Sequence, residues 1–275
     1  MKILADYHVH SNFSGDSQTP MEQMIEQGIA LGLERICFTD HMDYDFPKNY
    51  LHNVTSFEFD ADAYFRKIAT LREKYGERIK ILAGVELGVK PNISSKLYDL
   101  TQQYPFDFVI SSSHLLDNHD PYYVEYWDTI NHNYTYGIQR YFDSIAENVS
   151  SFSDFDVYGH LDYIVRYIPD PNFKYNPEDY QENIDNALLA IIEHKRGIEI
   201  NTAGLKYGLP FAHPTPQILK RYFELGGTYI TIGSDAHKPE HLAYDFSVAG
   251  KQLQDMGINN YCIFENRKPI LCSLS

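Results

Sequence analysis

Cysteine is scarce in this sequence. The 275 residues include three cysteines, Cys37, Cys262 and Cys272. Their number is odd and no two of them have a Cys-x-x-Cys spacing, which argues against both a disulfide framework and a thiolate zinc site. Cys37 falls in an apolar, strand-like run, where a free cysteine packs as a small hydrophobic residue. We therefore expect a protein that works in a reducing cytoplasm.

Long apolar runs are also missing. No stretch approaches the roughly 18 consecutive apolar residues that a membrane-spanning helix needs, so we expect no membrane span. The N-terminus passes from Lys2 directly into a strand-like run. It lacks the apolar core and the small-residue cleavage site of a secretion signal, and we expect none.

Runs of basic residues are absent. The chain has 23 Lys and Arg against 38 Asp and Glu, which gives a net charge of −15 and a pI near 5.1. Such a chain repels the nucleic-acid backbone, so we expect no nucleic-acid partner. A small anionic substrate stays compatible with this charge, because bound metal ions can reverse the local field. The sequence does not indicate an oligomeric state.

Low-complexity segments, linkers and internal repeats are missing too. Hydrophobic residues make up 43% of the chain and charged residues 22%, which is ordinary for a globular protein with a sizeable core. A barrel of alternating strands and helices needs about 250 residues. Residues 1–275 are therefore predicted to form a single α/β domain.

Strand-like and helix-like runs alternate along the whole chain, which predicts a largely parallel sheet or barrel. The first strand contains Ile3-Leu4-Ala5 and leads into Asp6-Tyr7-His8-Val9-His10. The later strands are predicted at 35–39, 79–85, 106–110, 155–158, 197–200, 228–232 and, as a short final strand, 261–265.

Three helix boundaries carry clear signals. Thr19-Pro20-Met21-Glu22 matches a capping box with proline at the first helical position. Asn176-Pro177-Glu178 predicts the start of a helix that runs to residue 196. Pro239 is predicted to open the last long helix, over 239–256. The polar, aromatic stretch 115–135 is predicted to be an irregular lid or binding loop.

Histidine and carboxylate residues recur where the predicted strands end. His8 and His10 point to one side of an extended chain, because residues two apart share a face. The other residues at or just after strand ends are Asp16, His41, Glu86, His114, His160, Asn201, Asp235 and His237. In barrels of this kind the C-terminal strand ends meet at one mouth, where function resides. Surface positions are expected for the other six histidines: His52, His119, His132, His194, His213 and His241.

The number of these side chains predicts several metal ions. Six imidazoles and three carboxylates are too many for a single tetrahedral or octahedral ion. They suit two or three divalent ions with carboxylates that bridge them. A set of nitrogen and oxygen donors without sulfur fits Zn, Mn or Fe.

These motifs resemble the PHP (polymerase and histidinol phosphatase) superfamily. The resemblance rests on Asp-x-His-x-His-Ser, Thr-Asp-His, Gly-Val-Glu-Leu-Gly, Ser-Ser-His, Gly-His-Leu-Asp and Gly-Ser-Asp-Ala-His, in that order. It covers residues 1 to about 265, and the length resembles the stand-alone histidinol-phosphate phosphatases of the bacterial branch. It implies a distorted (β/α)7 TIM-like barrel with a trinuclear site at the C-terminal strand ends.

The resemblance also implies how the ligands divide. One ion would be held by His8, His10, Glu86 and Asp235. A second would be held by Glu86, His114 and His160, with Glu86 as the bridge, and the third by Asp16, His41 and His237. Position 16 is His in some relatives, so the third ion is the least defined.

The implied activity is hydrolysis of L-histidinol phosphate in histidine biosynthesis, by attack of a metal-bridging hydroxide on phosphorus. Glu86, Asp235 and Arg166 are the expected catalytic residues. Arg166 is predicted to clamp the phosphate, because guanidinium matches phosphate oxygens bidentately. Lys206 is a weaker phosphate contact. Asn201 either contacts the substrate or caps the turn at Thr202-Ala-Gly.

Asp6, Asp40 and Asp162 lie next to ligand histidines and are predicted to orient their imidazoles. Several other functions stay open at this stage. They are a PHP phosphoesterase for another small phosphate such as a nucleotide or sugar phosphate, a proofreading or nuclease domain, an amidohydrolase-type deaminase, and an inactive metal-stabilised scaffold.

Overall fold

Strands and helices alternate along the chain. A computed structural model describes residues 3–52 and 54–274. The strands are β1 (Ala5–Val9), β2 (Arg35–Phe38), β3 (His41–Met42), β4 (Lys80–Gly88), β5 (Phe108–Ser112), β6 (Val157–Tyr158), β7 (Gly197–Asn201), β8 (Ile230–Gly233), β9 (Asn260–Glu265) and β10 (Lys268–Ser273). The α-helices are α1 (Met21–Leu31), α2 (Ala61–Tyr75), α3 (Ser94–Gln103), α4 (Val124–Thr129), α5 (Tyr134–Ser151), α6 (Gln181–Glu193), α7 (Ala203–Lys206), α8 (Pro216–Glu224) and α9 (Phe246–Asp255).

Seven parallel strands form the sheet in the order β1-β2-β4-β5-β6-β7-β8, and β3 pairs with β4 beside the end of β2. A parallel bridge between Val9 and Ala236 joins β1 to the end of β8, so the sheet curls into a nearly closed barrel. The predicted distorted (β/α)7 barrel is confirmed. The distortion includes a register shift between β1 and β2 after Asp6.

The barrel strands are buried on both faces, as expected for a parallel sheet covered by helices. Every residue of β1, β5, β7 and β8 is buried. The helices contribute one apolar face each; on α1 this face carries Met21, Met24 and Ile25. Complete burial of such a side chain contributes about 1.5–3 kcal/mol, so the core holds the strand ends in fixed positions.

The capping box predicted at Thr19 is wrong. Helix α1 begins at Met21 with Pro20 as its N-cap, and no side chain caps it. The Thr19 hydroxyl instead donates a hydrogen bond of 2.8 Å to the backbone oxygen of His237. Thr19 therefore ties the start of α1 to the loop after β8.

The last long helix is shorter than predicted. Pro239–His241 is a single 3-10 turn, and α9 begins at Phe246. Ala243 and Asp245 between them have positive φ angles of 54° and 48°. The backbone N–H of Ala243 donates to Asp6 Oδ2 at 2.9 Å, which holds the chain away from a helical path.

Two other regions differ from the boundaries predicted from the sequence. The helix predicted to start at Asn176 begins as a 3-10 turn, Pro177–Tyr180, and continues as α6 to Glu193. The predicted loop 115–135 contains α4 and the first residues of α5.

Within the described ranges, none of the helices combines the length and apolar character of a membrane span.

The hairpin β9–β10 covers the N-terminal end of the barrel. Sequence analysis predicted only its first strand. The Tyr7 hydroxyl donates to the backbone oxygen of Phe264 at 2.8 Å. Arg267, in the hairpin turn, contacts Asp156 Oδ2 at 2.6 Å and donates its backbone N–H to the oxygen of Asp107. That residues 1–275 form one domain stays a prediction.

Candidate metal centre

The predicted ligands meet at the C-terminal mouth of the barrel. His8 and His10 lie in and just after β1, His41 lies in β3 and Glu86 in β4. His114, His160, Asp235 and His237 follow β5, β6 and β8, and Asp16 lies in the loop after β1. Because these strands are parallel, their ends bring residues that are distant in sequence to one place.

The first predicted ligand set is close together. Glu86 Oε2 lies 3.3 Å from His8 Nε2 and 3.5 Å from His10 Nε2. Asp235 Oδ1 lies 3.4 Å from His10 Nε2 and 3.9 Å from His8 Nε2. Two imidazoles and two carboxylates therefore surround one point.

The second set shares Glu86 with the first. Its other carboxylate oxygen, Oε1, lies 3.1 Å from His114 Nε2 and 2.9 Å from His160 Nε2. The Ser112 hydroxyl also donates to Oε1, at 2.7 Å. Each oxygen of Glu86 thus faces a different set, which is the arrangement expected of a bridging carboxylate.

The third set is more open. Asp16 Oδ2 lies 3.2 Å from His237 Nε2 and 3.6 Å from His41 Nε2, and Asp16 is exposed. His41 also contacts the carboxylate that the first two sets share: its Nδ1 lies 3.0 Å from Glu86 Oε2. Donor atoms also converge for His10, His41 and His237 together, and for His41 with Glu86 and His114. The division of ligands around His41 is therefore less sharp than the resemblance implies.

The residues fit divalent ions. His8 Nε2, His10 Nε2 and His237 Nε2 are buried and have no hydrogen-bond partner among the described residues. Burial, followed by the neighbouring His237 and His41, holds the pKa of His10 well below its usual value. Burial alone would raise the pKa of Glu86, but the adjacent imidazoles, His8 first, hold it well below its usual range. A neutral imidazole and an ionised carboxylate are the forms that bind metal.

Two buried carboxylates orient ligand imidazoles and were missed by sequence analysis. Glu199, in β7, accepts a hydrogen bond from His8 Nδ1 at 2.7 Å, and Asp43 accepts one from His114 Nδ1 at 2.7 Å. Such bonds fix which imidazole nitrogen faces a metal. The available signal was a single Glu within the apolar run Gly-Ile-Glu-Ile, where a lone charge needs a buried partner.

Asp6 and Asp40 were predicted to contact and orient ligand imidazoles directly, and this prediction is wrong. Asp6 accepts from Ser234 and from the backbone of Ala243, so it holds the loop after β8. Asp40 accepts from the Ser14 hydroxyl at 2.8 Å, and that oxygen lies 2.9 Å from His10 Nδ1. Asp40 therefore acts on a ligand imidazole through Ser14.

Asp162 also serves a different histidine from the one predicted. It contacts His213 Nδ1 at 2.5 Å and accepts from the backbone N–H of Thr215 at 2.8 Å. Both members of the pair are fully buried, so the surface position expected for His213 is wrong. The backbones of His213 and Asn201 exchange two hydrogen bonds, which connects this pair to the end of β7.

Arg166 lies in the 3-10 turn Tyr163–Tyr167, within a cage of aromatic rings. Its guanidinium carbon is 4.8 Å from the ring centre of Tyr163, 4.6 Å from that of Tyr167 and 4.4 Å from that of Tyr207. Nη2 donates to the Tyr167 hydroxyl, whereas Nη1 is buried with no acceptor in the described part of the chain. The N–H groups of Nη1 therefore have no protein acceptor among the described residues and could donate to a bound anion.

Lys206 and Asn201, the other two predicted substrate contacts, form different hydrogen bonds. Lys206 Nζ donates to the backbone oxygen of Asp235 at 2.9 Å, so its charge lies beside the centre. Asn201 is fully buried; its Oδ1 accepts from Ala203 N–H and its Nδ2 donates to Glu199. The turn-capping alternative describes Asn201, because both polar atoms of its side chain have protein partners, and the substrate contact stays a prediction.

A family model described as the PHP domain matches residues 6–203, which is well over half of the chain. The chain belongs to the PHP domain family. The matched region contains seven of the nine predicted ligands; Asp235 and His237 lie beyond it.

Relatives with named activities are similar over nearly the whole chain. A probable histidinol-phosphatase of Clostridium acetobutylicum is 32% identical over 96% of this chain and 98% of its own length. The histidinol-phosphatase of Lactococcus lactis is 29% identical over 96% of this chain and 95% of its own.

A solved structure is also similar. The crystal structure of the Lactococcus lactis histidinol phosphate phosphatase, complexed with zinc, L-histidinol and phosphate, superimposes with a TM-score of 0.86 at 28% identity. The similarity covers 97% of this chain and 98% of that one. The imidazoles and carboxylates that converge at the barrel mouth of this chain are the donor types that suit a divalent metal ion.

Proposed function

We propose that this PHP protein is a histidinol-phosphatase that hydrolyses L-histidinol phosphate to L-histidinol and phosphate. The observation that carries the proposal is the convergence of the nine predicted nitrogen and oxygen ligands, Glu86 among them, at the barrel mouth, in a chain similar throughout to histidinol-phosphatases. The similar Lactococcus structure holds zinc together with both products of that reaction. The substrate partner is thus a small phosphate ester.

The centre would hold two or three divalent ions, with zinc as the first candidate and manganese or iron as alternatives. His8, His10, Glu86 and Asp235 would hold one ion, and Glu86, His114 and His160 a second. Asp16, His41 and His237 would hold a third. When bound, such ions supply Lewis-acid chemistry that lowers the pKa of water and offsets charge on phosphate oxygens.

The protein side chains would bind and orient the ester. Arg166 would donate its free Nη1 to a phosphate oxygen, while Tyr163, Tyr167 and Tyr207 hold the guanidinium in place. Lys206 would add a second positive charge on the side of Asp235. Glu86 and Asp235, ionised in this environment, would anchor the centre to β4 and β8.

The proposal includes a cytoplasmic setting without nucleic acid or membrane as a partner. Three free thiols support a reducing compartment, two of them buried. A net charge of −15 disfavours contact with phosphate backbones or anionic lipid surfaces.

The test is phosphate release from L-histidinol phosphate beside a panel of nucleotide and sugar monophosphates, with protein loaded with zinc, manganese or iron. We expect a kcat/KM for histidinol phosphate at least tenfold above every other substrate. Equal, weak turnover of the whole panel would contradict the substrate and leave a PHP phosphoesterase for another small phosphate.

A further inference from the structure

Glu199 is a buried carboxylate directly behind two of the proposed ligand sets. It lies in the middle of β7 and is fully buried. Its Oε1 accepts from His8 Nδ1 at 2.7 Å, and its Oε2 accepts from the backbone N–H of His160 at 3.2 Å and from Asn201 Nδ2 at 3.1 Å. Three donors from three strand ends therefore meet on one carboxylate.

The bond to His8 decides which nitrogen of that imidazole is free. A carboxylate can only accept, so Nδ1 must carry the proton. In the neutral imidazole the lone pair then lies on Nε2, which points at Glu86 and Asp235 and is the nitrogen the first ion would use. Without Glu199, the proton could move to Nε2 and block the ligand.

The bond to His160 supports an uncommon backbone conformation. His160 has a φ of +23°, outside the regions that non-glycine residues normally adopt. Such a conformation persists only when the surroundings hold it. The N–H of His160 donates to Glu199, while its Nε2 lies 2.9 Å from Glu86 in the second set.

Space for this carboxylate comes from Gly233, at the end of β8. A Cβ atom at this position would lie 2.4 Å from Glu199 Oε1 and 2.3 Å from His8 Cβ. Any side chain there would displace the carboxylate or the imidazole. The glycine of the Gly-Ser-Asp motif thus keeps Glu199 and His8 in contact.

We propose that Glu199 is a positioning residue that couples the first and second ion positions, by fixing His8 and His160 at the same time. The inference rests on the proposed ligand sets. Its consequence is that a change at Glu199 weakens both positions, although Glu199 belongs to neither ligand set.

Glu199→Gln is the decisive variant, because it keeps the shape and removes one acceptor. An amide accepts at its oxygen only, so its NH2 group must face at least one of the three donors. We expect zinc affinity at both positions to fall about 10- to 100-fold, the usual effect of losing a carboxylate behind a metal-bound histidine. Competition with a zinc chelator, without substrate, measures this.

Asp156→Asn is the matched control. Asp156 is also buried, but it accepts from Arg267 at the opposite end of the barrel. We expect this variant to lose stability and keep wild-type zinc affinity. If Glu199→Gln also keeps wild-type affinity, or loses a single ion only, the coupling is wrong. If the wild type itself binds fewer than two zinc ions, the proposed ligand sets are wrong, and with them the basis of the coupling.

Proton NMR of the zinc-loaded wild type tests the same contacts without any substitution. The Nδ1 proton of His8 should resonate far downfield and exchange slowly, as expected for a buried bond to a carboxylate. The backbone amide of His160 should be protected from hydrogen exchange. A fast-exchanging Nδ1 proton on His8 would overturn the proposal even if Glu199→Gln does not fold.

Discussion

Glu86 contacts imidazoles from four different strand ends. Its Oε2 faces His8, His10 and His41, and its Oε1 faces His114 and His160. No water or neutral backbone carbonyl could replace the negative charge of a carboxylate at this position, because five imidazoles surround it. At the scale of single residues, the proposed centre depends most on this side chain.

Glu86→Ala should therefore remove metal and activity together. We expect metal content to fall by at least one ion per chain and kcat/KM to fall by more than about 100-fold, since losing a direct ligand exceeds the loss of an orienting residue. Metal analysis by mass spectrometry and phosphate release measure the two effects. Retained metal with full activity would show that Glu86 does not bridge the ions.

Arg166→Ala should separate substrate binding from metal binding. A charge-assisted hydrogen bond contributes about 1.5–3 kcal/mol, which predicts a rise in KM of about 10- to 100-fold with unchanged metal content. Arg166→Lys keeps the charge but loses the planar geometry and should recover only part of the effect. Kinetics that match the wild type would exclude Arg166 as a phosphate contact.

At the scale of secondary-structure elements, the buried pair Asp162–His213 connects two segments of the mouth. Asp162 precedes the 3-10 turn that carries Arg166, and His213 bonds to the backbone of Asn201 at the end of β7. The segment after β7 continues into α7, which carries Lys206. The pair therefore fixes the positions of the segments that carry Arg166 and Lys206 relative to each other.

His213→Phe should disturb this relation. Removing one partner of a buried pair leaves an uncompensated carboxylate, so we expect a loss of about 3 kcal/mol in the free energy of unfolding and a raised KM with unchanged metal content. Urea denaturation and steady-state kinetics measure both. His194→Phe is the control, because His194 is an exposed histidine directly after α6. Equal KM values for the two variants would rule out the connection.

Prediction from sequence succeeded where a pattern is local. The strands follow from apolar runs, and His8 with His10 follows from the period of a strand. It failed where a long-range contact overrides a local signal. Thr19 has the pattern of a capping residue but bonds to the loop of His237, and Asp6 interrupts the helix predicted at Pro239. Nothing local to Asp162 distinguishes His160, two residues away, from His213, its actual partner.

At the scale of the whole molecule, the mouth of the barrel concentrates charge. Three carboxylates and six histidines lie within it, in a chain that is already strongly acidic. Without ions, the ionised carboxylates depend on protonated imidazoles for compensation. Metal binding is therefore expected to stabilise the fold as well as to permit catalysis.

Metal removal tests this expectation. Chelation should abolish activity and lower the melting temperature by at least about 5 °C, because a ligand at 100 times its Kd adds about 2.7 kcal/mol of stability. Thermal unfolding with and without chelator gives the shift, and separate addition of zinc, manganese and iron ranks the metals. An unchanged melting temperature would mean that the centre folds independently of its ions.

The contacts of β1 also set an order of events during translation. The bridge from Val9 to Ala236 and the bond from Tyr7 to Phe264 join β1 to segments that are translated long after it. A nascent chain that stops before Asp235 has His8, His10 and Glu86 but lacks the second carboxylate of the first ligand set and the closing bridge. Zinc should therefore occupy the first ion position only after Asp235 has been made, and ribosome-bound chains truncated at residue 230 should retain less zinc than released chains of residues 1–275.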